Sequence, residues 1–280
     1  MENAKVRKAA VAGKFYPSDK DELVAIIRRV EHKERENINF SLANKQIIGG
    51  IVPHAGYVFS AYQAVHFFKL IASQPEKYDT IFIINPNHTG IGNWISLEEH
   101  THWESPLGLV EIDADFMPLL NFPNNANAHK YEHSGEVMLP FLQYYLPYKF
   151  KIVPITMGEQ TFENAKELAN QIFDANKKLK KNILLIASSD FSHFESINEG
   201  FRKDQLVVNQ ILNQNTQQIE NVVNDNHISV CGYGTIMALL EYAKLCTQTP
   251  KVELLARGHS GLVHQSPEVV DYISFLIFNE

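Results

Sequence analysis

The segment ILLIASSDFSHFE (183–195) joins an unbroken apolar run to a sudden group of polar side chains. An apolar run of this length is typical of a β-strand that is covered on both faces of its sheet. Comparable runs recur along the chain, at IIGGIV (47–52), TIFIIN (80–85), FKIVPITM (150–157), VELLA (252–256) and YISFLIF (272–278). These segments are the predicted strands.

Helical patterns separate the predicted strands. The first, at about 19–34, begins with Ser18 or Asp19 as N-cap and has Glu22 in its first turn. The others lie at about 57–72, 134–146, 161–177, 199–212 and 232–246. Strands that alternate with helices predict an α/β fold, a single domain over residues 1–280 whose largely parallel central sheet is flanked by helices.

The segment WISLEEHTHWESPLGLVEI (94–112) departs from this alternation. Its pattern indicates two short strands around a Pro-Leu-Gly turn, which we interpret as a hairpin at an edge. We expect this hairpin, near Trp94 and Trp103, to be exposed and to be a candidate surface for oligomer formation.

The composition excludes several classes of protein. The 280 residues are 45% hydrophobic and 20% charged, which is ordinary globular usage, and the net charge of −7 argues against a general nucleic-acid-binding surface. Two cysteines do not make a disulfide scaffold, and the chain shows neither a secretory signal nor a membrane-spanning apolar stretch. We therefore expect a cytoplasmic protein with no nucleic-acid or membrane partner.

Polar residues gather where the predicted strands end. His54 and His88 each follow an apolar run and a proline. Asp190 and His193 follow ILLIAS, and Cys231 lies between a short β-like run and a predicted helix. Because ligands of open α/β sheets bind beyond the carboxyl ends of the strands, these five side chains form the candidate site.

The residue types in this set point to a metal centre. Two imidazoles and one anionic ligand, with open coordination positions, are the arrangement of non-haem Fe(II) sites, and a thiolate also suits Cu or Zn. His54, His88 and Cys231 supply such a set. Cys231 precedes a predicted helix N-terminus, which favours its thiolate form. Asp190 and His193 are the predicted acid–base pair.

Each residue also has a purely structural interpretation. A histidine at a strand end can be a hydrogen-bonded structural residue, and Cys231 can be a small buried apolar one. Asp190 can cap a helix that begins near Phe191, with His193 on its first turn. Outside the set, we expect Cys246 to lie in the core, within the predicted helix that contains EYAKLC.

The sequence does not decide the roles of four other polar residues. His133 and Glu136, in EHSGE, either begin a helix or reach the site. His259 and His264 flank Gly261 in a loop able to overhang a pocket.

Six short motifs follow one another along the chain: VAGKFYP (11–17), IVPHAGYVFS (51–60), NPNHTG (85–90), EHSGE (132–136), SSDFSHF (188–194) and CGYG (231–234). In this order they resemble the Memo-like proteins, whose prokaryotic members are called AmmeMemoRadiSam system protein B. The resemblance extends from Val11 to at least Gly234. It implies a fold similar to that of the class III extradiol ring-cleaving dioxygenases.

The resemblance also implies a set of site residues. The family's metal ligands, two histidines and a cysteine, map onto His54, His88 and Cys231, and its site-lining pair maps onto Asp190 and His193. The ring-cleaving dioxygenases have a carboxylate as third iron ligand where this chain has a thiol. Activity on catechols therefore does not follow from similarity of fold.

Two functions remain open at this point. The first is a metal-dependent oxidoreductase that uses Fe(II), with Cu or Zn as alternatives, on an unknown small substrate. The second is a non-catalytic binding or scaffold protein that retains a vestigial dioxygenase-like pocket and binds a peptide or a partner protein. The resemblance implies AMMECR-like and radical-SAM proteins as partners, and an oligomer. A serine hydrolase is disfavoured because the chain lacks a G-x-S-x-G elbow.

Overall fold

A computed structural model of the protein describes residues 4–280. Its strands are β1 Val6–Arg7, β2 Gln46–Val52, β3 Thr80–Pro86, β4 Ile95–Leu97, β5 His102–Ser105, β6 Gly108–Glu111, β7 Lys151–Met157, β8 Ile183–Ser188, β9 His193–Glu195, β10 Lys251–His259 and β11 Val269–Asn279. Its α-helices are α1 Lys20–Glu34, α2 Tyr57–Ala72, α3 Ala126–Lys130, α4 Met138–Tyr145, α5 Phe162–Leu179, α6 Ile197–Leu212, α7 Thr216–Asp225 and α8 Tyr233–Cys246. All six predicted strands and six predicted helices are therefore present.

The central sheet has the strand order β10-β11-β2-β8-β3-β7-β4, and β9 pairs with β11. The four middle strands β2, β8, β3 and β7 are parallel, whereas β10, β11 and β4 pair antiparallel. The predicted α/β fold with a central sheet flanked by helices is confirmed, but the parallel part is confined to the middle. A short connection joins β10 to β11, and a connection without a crossover helix produces an antiparallel pair.

Helices cover both faces of this sheet. Successive residues of β3 show the division, because Phe82 and Ile84 pack with α5, α6, α7 and α8, whereas Ile81 and Ile83 pack with α1, α2 and α4. Side chains of a strand alternate between faces, so a strand buried on both faces is apolar at every position. This is the physical reason for the unbroken apolar runs.

Two glycines in β2 let helices approach both faces closely. A Cβ atom at Gly50 would lie 2.3 Å from the Phe67 ring of α2, and one at Gly49 would lie 2.7 Å from the Leu239 side chain of α8. Any larger residue would push a helix away from the strand that leads to His54.

The predicted pair of short strands around the Pro-Leu-Gly turn of segment 94–112 is confirmed, since β5 and β6 pair antiparallel across that turn. These two strands belong to a separate three-stranded sheet with β1. The preceding strand β4 instead joins the edge of the central sheet. The expectation of an exposed Trp103 is wrong: its side chain is 1% exposed, and the guanidinium of Arg7 lies 4.4 Å from its ring centroid. Cys246, expected in the core, is exposed at the end of α8.

None of the helices within residues 4–280 is long and apolar enough to cross a membrane.

Candidate functional site

The carboxyl ends of three neighbouring parallel strands carry the polar residues. His54 lies two residues beyond β2, His88 two residues beyond β3, and Asp190 two residues beyond β8. Since β2 and β3 both pair with β8, their ends meet at one edge of the sheet. A fourth contribution comes from the turn before α4, which carries Glu132 and His133.

The His54 side chain is buried, and one of its nitrogens is fixed by a hydrogen bond. Nδ1 lies 2.7 Å from Ser188 Oγ, and the Ser188 hydroxyl in turn donates to the carbonyl oxygen of Ser134 at 2.7 Å. A hydroxyl has one proton to donate, so Ser188 Oγ accepts from Nδ1–H, and Nε2 carries the lone pair. The main-chain N–H of His54 donates to Asp190 Oδ1 at 2.7 Å.

The His88 ring is oriented in the same way by Glu132. Its Nδ1 lies 2.9 Å from Glu132 Oε1, and its main-chain N–H donates to Oε2 at 2.6 Å. Burial raises the pKa of Glu132, but hydrogen bonds from His88 and Ser134 outweigh it and lower that pKa to about 2. The carboxylate is therefore an acceptor for Nδ1, which leaves Nε2 of His88 as the nitrogen that can bind a ligand.

His133 completes a group of three histidines. Its ring centroid lies 4.6 Å from that of His88 and 5.4 Å from that of His54, and the His54 and His88 centroids are 5.2 Å apart. Each ring offers one nitrogen, and the three nitrogens lie within 4.8 Å of one another. The sequence left His133 open between a helix start and the site, and the structure places it in the cluster.

Burial favours the neutral form of two of these imidazoles, His54 and His133. It holds the pKa of His54 well below its usual value, and the neighbouring His133 and His88 lower it further. The pKa of His133 is lowered to about 4, mainly by burial, with His88 adding to the effect while Glu132 opposes it. Neutral imidazole is the form that binds metals.

Cys231 contacts the cluster but does not belong to the set of three. Its Sγ lies 3.2 Å from His54 Nε2, and the main-chain N–H of Asp190 donates to the sulfur at 3.2 Å. Burial raises the pKa of the thiol, and the nearby Asp190 raises it further. In the protein without a metal, burial therefore opposes the thiolate form that the α8 N-terminus favours.

Asp190 lies in the loop after β8, and His193 is the first residue of β9. Asp190 is buried, and burial raises its pKa to about 6. His193 is half-buried, and its Nδ1 lies 2.9 Å from the carbonyl oxygen of Ser229. The structural alternative in which Asp190 caps a helix near Phe191 is wrong, because β9 follows this loop and α6 begins only at Ile197.

Arg7 stabilises the turn that carries Glu132 and His133, a role that the sequence did not indicate. Its guanidinium is buried and donates to Glu136 Oε2 and to the carbonyl oxygen of Glu132, both at 2.7 Å. Glu136 also accepts from the main chain of Val11 at 3.0 Å and from the hydroxyl of Tyr16 at 2.6 Å. Glu136 therefore anchors VAGKFYP, and together with Arg7 it holds the turn that carries His133.

These features define an α/β protein that carries, at the carboxyl ends of its parallel strands, a histidine cluster that could hold a metal ion. The profile of the family described as Memo-like protein matches residues 7–276. A MEMO1 family protein of Methanococcoides burtonii is 36% identical over 275 residues, covering 97% of this chain and 100% of that protein. One of Desulfurococcus amylolyticus is 38% identical over 268 residues, covering 92% and 93%.

The chain therefore belongs to the Memo-like protein family, as its six motifs predicted. Among solved structures, an uncharacterized protein JW3007 from Escherichia coli K12 is similar, with a TM-score of 0.51 at 10% identity. The match covers 84% of this chain and 100% of that one. At this identity the similarity concerns the fold alone.

Proposed function

We propose that this protein binds one transition-metal ion, Fe(II) in preference to Cu or Zn, and uses it for redox chemistry on a small substrate. The observation that carries the proposal is the pair of oriented imidazoles. Ser188 and Glu132 occupy Nδ1 of His54 and His88, so that both Nε2 atoms are available to one ligand. Orientation of metal-binding histidines by a second hydrogen bond is a general feature of metal sites.

Four side chains are the proposed donors. His54, His88 and His133 offer nitrogen atoms within 4.8 Å of one another, and Cys231 Sγ lies 3.2 Å from His54 Nε2. The half-buried thiol would give up its proton when a cation binds, because a coordinating thiol is deprotonated. The mixed nitrogen and sulfur donors suit Fe, Cu and Zn rather than Mg or Ca, which prefer oxygen.

The bound ion would supply one-electron chemistry and open positions for oxygen or substrate. The chain's own groups would handle protons. Asp190, whose pKa burial raises to about 6, holds or releases a proton near neutral pH. His193 hydrogen-bonds through Nδ1 to the Ser229 carbonyl, which leaves Nε2 as a proton donor or acceptor for the substrate.

Metal analysis tests the first half of the proposal. Protein purified without oxygen is loaded with Fe(II), desalted and analysed for metals, and we expect about one equivalent. His88→Ala and His54→Ala should lose the ion. His264→Ala, at an exposed histidine beyond β10, should retain it. Equal metal content in all four proteins would overturn the assignment.

The redox half needs its own measurement. The iron-loaded protein is oxidised with ferricyanide and reduced with ascorbate while its electron paramagnetic resonance signal is followed. A ferric signal that appears and disappears reversibly supports the proposal. A protein that holds only Zn(II) under every loading condition would contradict it and favour the non-catalytic binding protein.

A further inference from the structure

The peptide unit between Cys231 and Gly232 is held by side chains on both of its edges. The Cys231 carbonyl oxygen accepts from Gln160 Nε2 at 2.7 Å. The Gly232 N–H donates to Ser189 Oγ at 3.0 Å. Because a peptide unit is planar, hydrogen bonds to its C=O and its N–H together fix its rotation. The unit directly beside the thiol therefore has a defined orientation.

Gln160 holds this turn with both ends of its side-chain amide. Besides donating to the Cys231 carbonyl, it accepts through Oε1 from the N–H of Gly234 at 2.8 Å. Gly234 lies in the first turn of α8, whose N-cap residue Gly232 offers no side-chain hydrogen bond. The first N–H groups of a helix have no partner within the helix. Gln160 therefore takes the place of the missing cap.

Two glycines of CGYG (231–234) allow the turn to pack this closely. A Cβ atom at Gly234 would lie 2.6 Å from the Cβ of Gln160, and one at Gly232 would lie 2.3 Å from the carbonyl oxygen of Ser188. Both distances are too short for any real side chain. A larger residue at either position would separate the turn from Gln160 or from the end of β8.

Gln160 comes from the fourth of the parallel strands. It lies three residues beyond the end of β7, which pairs with β3. The other parallel strands, β2, β8 and β3, lead to His54, Asp190 and His88. All four strand ends therefore contribute to one edge of the sheet, and β7 contributes through the main chain of Cys231 rather than through a donor atom for a metal.

The orientation of this peptide unit determines where the sulfur lies. Cys231 Sγ is 3.2 Å from His54 Nε2 and accepts from the main-chain N–H of Asp190 at 3.2 Å. We infer that Gln160 is a positioning residue, which holds Cys231 Sγ beside His54 through the peptide unit that follows the cysteine. The purpose of this placement, to present a thiolate to a cation, rests on the proposed metal site, whereas the placement itself does not.

Thiol modification tests the placement in the absence of a metal. Cys246→Ser protein retains Cys231 as its one cysteine, and a neutral pyridyl disulfide reacts with the sulfur when the turn opens. Gln160→Met in this parent has a side chain of similar length but neither the N–H donor nor the carbonyl acceptor. One hydrogen bond changes such an opening equilibrium about twofold to tenfold, so we expect the reaction rate to rise about fivefold or more.

Two further variants in the same parent make the test specific. Ser189→Ala frees the other edge of the peptide unit and should also accelerate the reaction. Asp19→Ala removes the N-cap of α1, on the other face of the sheet, so it should lower stability and leave the reaction rate unchanged. The inference is overturned if Gln160→Met or Ser189→Ala reacts at the rate of the parent, or if Asp19→Ala accelerates the reaction as much as Gln160→Met.

Cobalt substitution tests the purpose of the placement. A thiolate bound to Co(II) gives a charge-transfer band in the near ultraviolet. We expect this band in the Cys246→Ser parent and in Asp19→Ala, and a weaker or shifted band in Gln160→Met. An unchanged band in Gln160→Met would overturn the inference. If no protein shows the band but the reaction rates are as expected, Cys231 is not a metal ligand, and its positioning by Gln160 is still supported.

Discussion

Ser188 Oγ lies 2.7 Å from His54 Nδ1 and thereby determines which nitrogen of that ring faces the histidine cluster. The serine itself is fully buried and is directed by the carbonyl of Ser134. One hydroxyl group thus links the end of β8, the loop after β2 and the turn before α4.

Replacing Ser188 with alanine should weaken metal binding by more than the loss of a buried hydroxyl elsewhere in the fold does. In Ser188→Ala the His54 ring loses the acceptor for Nδ1–H, and we expect the metal Kd to rise about tenfold to a hundredfold. Chelator competition measures the Kd. Ser274→Ala, which also removes a buried hydroxyl, should keep its metal affinity. If both variants lose affinity alike, the serine acts through stability only.

The buried pair of Arg7 and Glu136 should contribute strongly to stability. Arg7→Met leaves the Glu136 carboxylate uncompensated in the interior, and we expect a loss of about 3–5 kcal/mol in the free energy of unfolding. Urea denaturation measures it. Lys8→Met, which removes the neighbouring exposed pair with Glu104, should cost less than about 1 kcal/mol. Similar losses in the two variants would contradict this interpretation.

Metal binding should release a proton from Cys231. Burial raises the pKa of this thiol, so it is protonated at neutral pH, and coordination would remove the proton. Calorimetry in buffers of different ionisation enthalpy counts the protons, and we expect about one per ion. Cys231→Ser should reduce the count, whereas Cys246→Ser should not. An unchanged count in Cys231→Ser would exclude the thiol as a ligand.

The carboxyl group of Asp204 should make the protein less stable as the pH rises. Burial raises its pKa to about 8, and a hydrogen bond with Asp271 adds to this. Between about pH 4 and pH 8 the folded state therefore holds a proton that the unfolded state has lost. The contribution of this carboxyl group to the free energy of unfolding falls as the pH rises, by up to about 1.4 kcal/mol per pH unit.

Asp204→Asn removes this titration and keeps an acceptor for the main-chain N–H of Ser192. As the pH rises from about 5 to about 8, the free energy of unfolding of the variant, measured with urea, should increase relative to that of the unmodified protein. Asp115→Asn is the control, because Lys181 lowers the pKa of that exposed carboxyl and its titration lies below this range. Parallel pH profiles for Asp204→Asn and the unmodified protein would refute the prediction.

The residues that the sequence located correctly share one property: each follows a strand directly. His54, His88 and Asp190 stand two positions beyond β2, β3 and β8, and parallel pairing of those strands is enough to bring them together. Apolar runs reveal the strands, so the position of the site follows from local pattern and a general rule. Their chemical role stays a prediction.

Residues whose role depends on long-range packing could not be found in this way. Arg7 contacts Glu136 across 129 positions of the chain, and nothing local distinguishes it from a surface arginine. Trp103 is covered by that same arginine rather than exposed. The protonation of Cys231 is likewise set by burial, which depends on the whole fold, whereas the sequence showed only the helix N-terminus after it.

The pairing of β11 with both β2 and β9 has a consequence for biosynthesis. The main-chain carbonyl of Asp271 in β11 accepts from the main-chain N–H of Phe191, and β11 also pairs with β9, so the segment that carries Asp190 and His193 is held by a strand that is synthesised after all three histidines of the cluster. A growing chain on the ribosome already contains His54, His88 and His133 but not the strand that secures their surroundings. Delivery of an ion is therefore expected to follow synthesis of residues 269–279 rather than to accompany it.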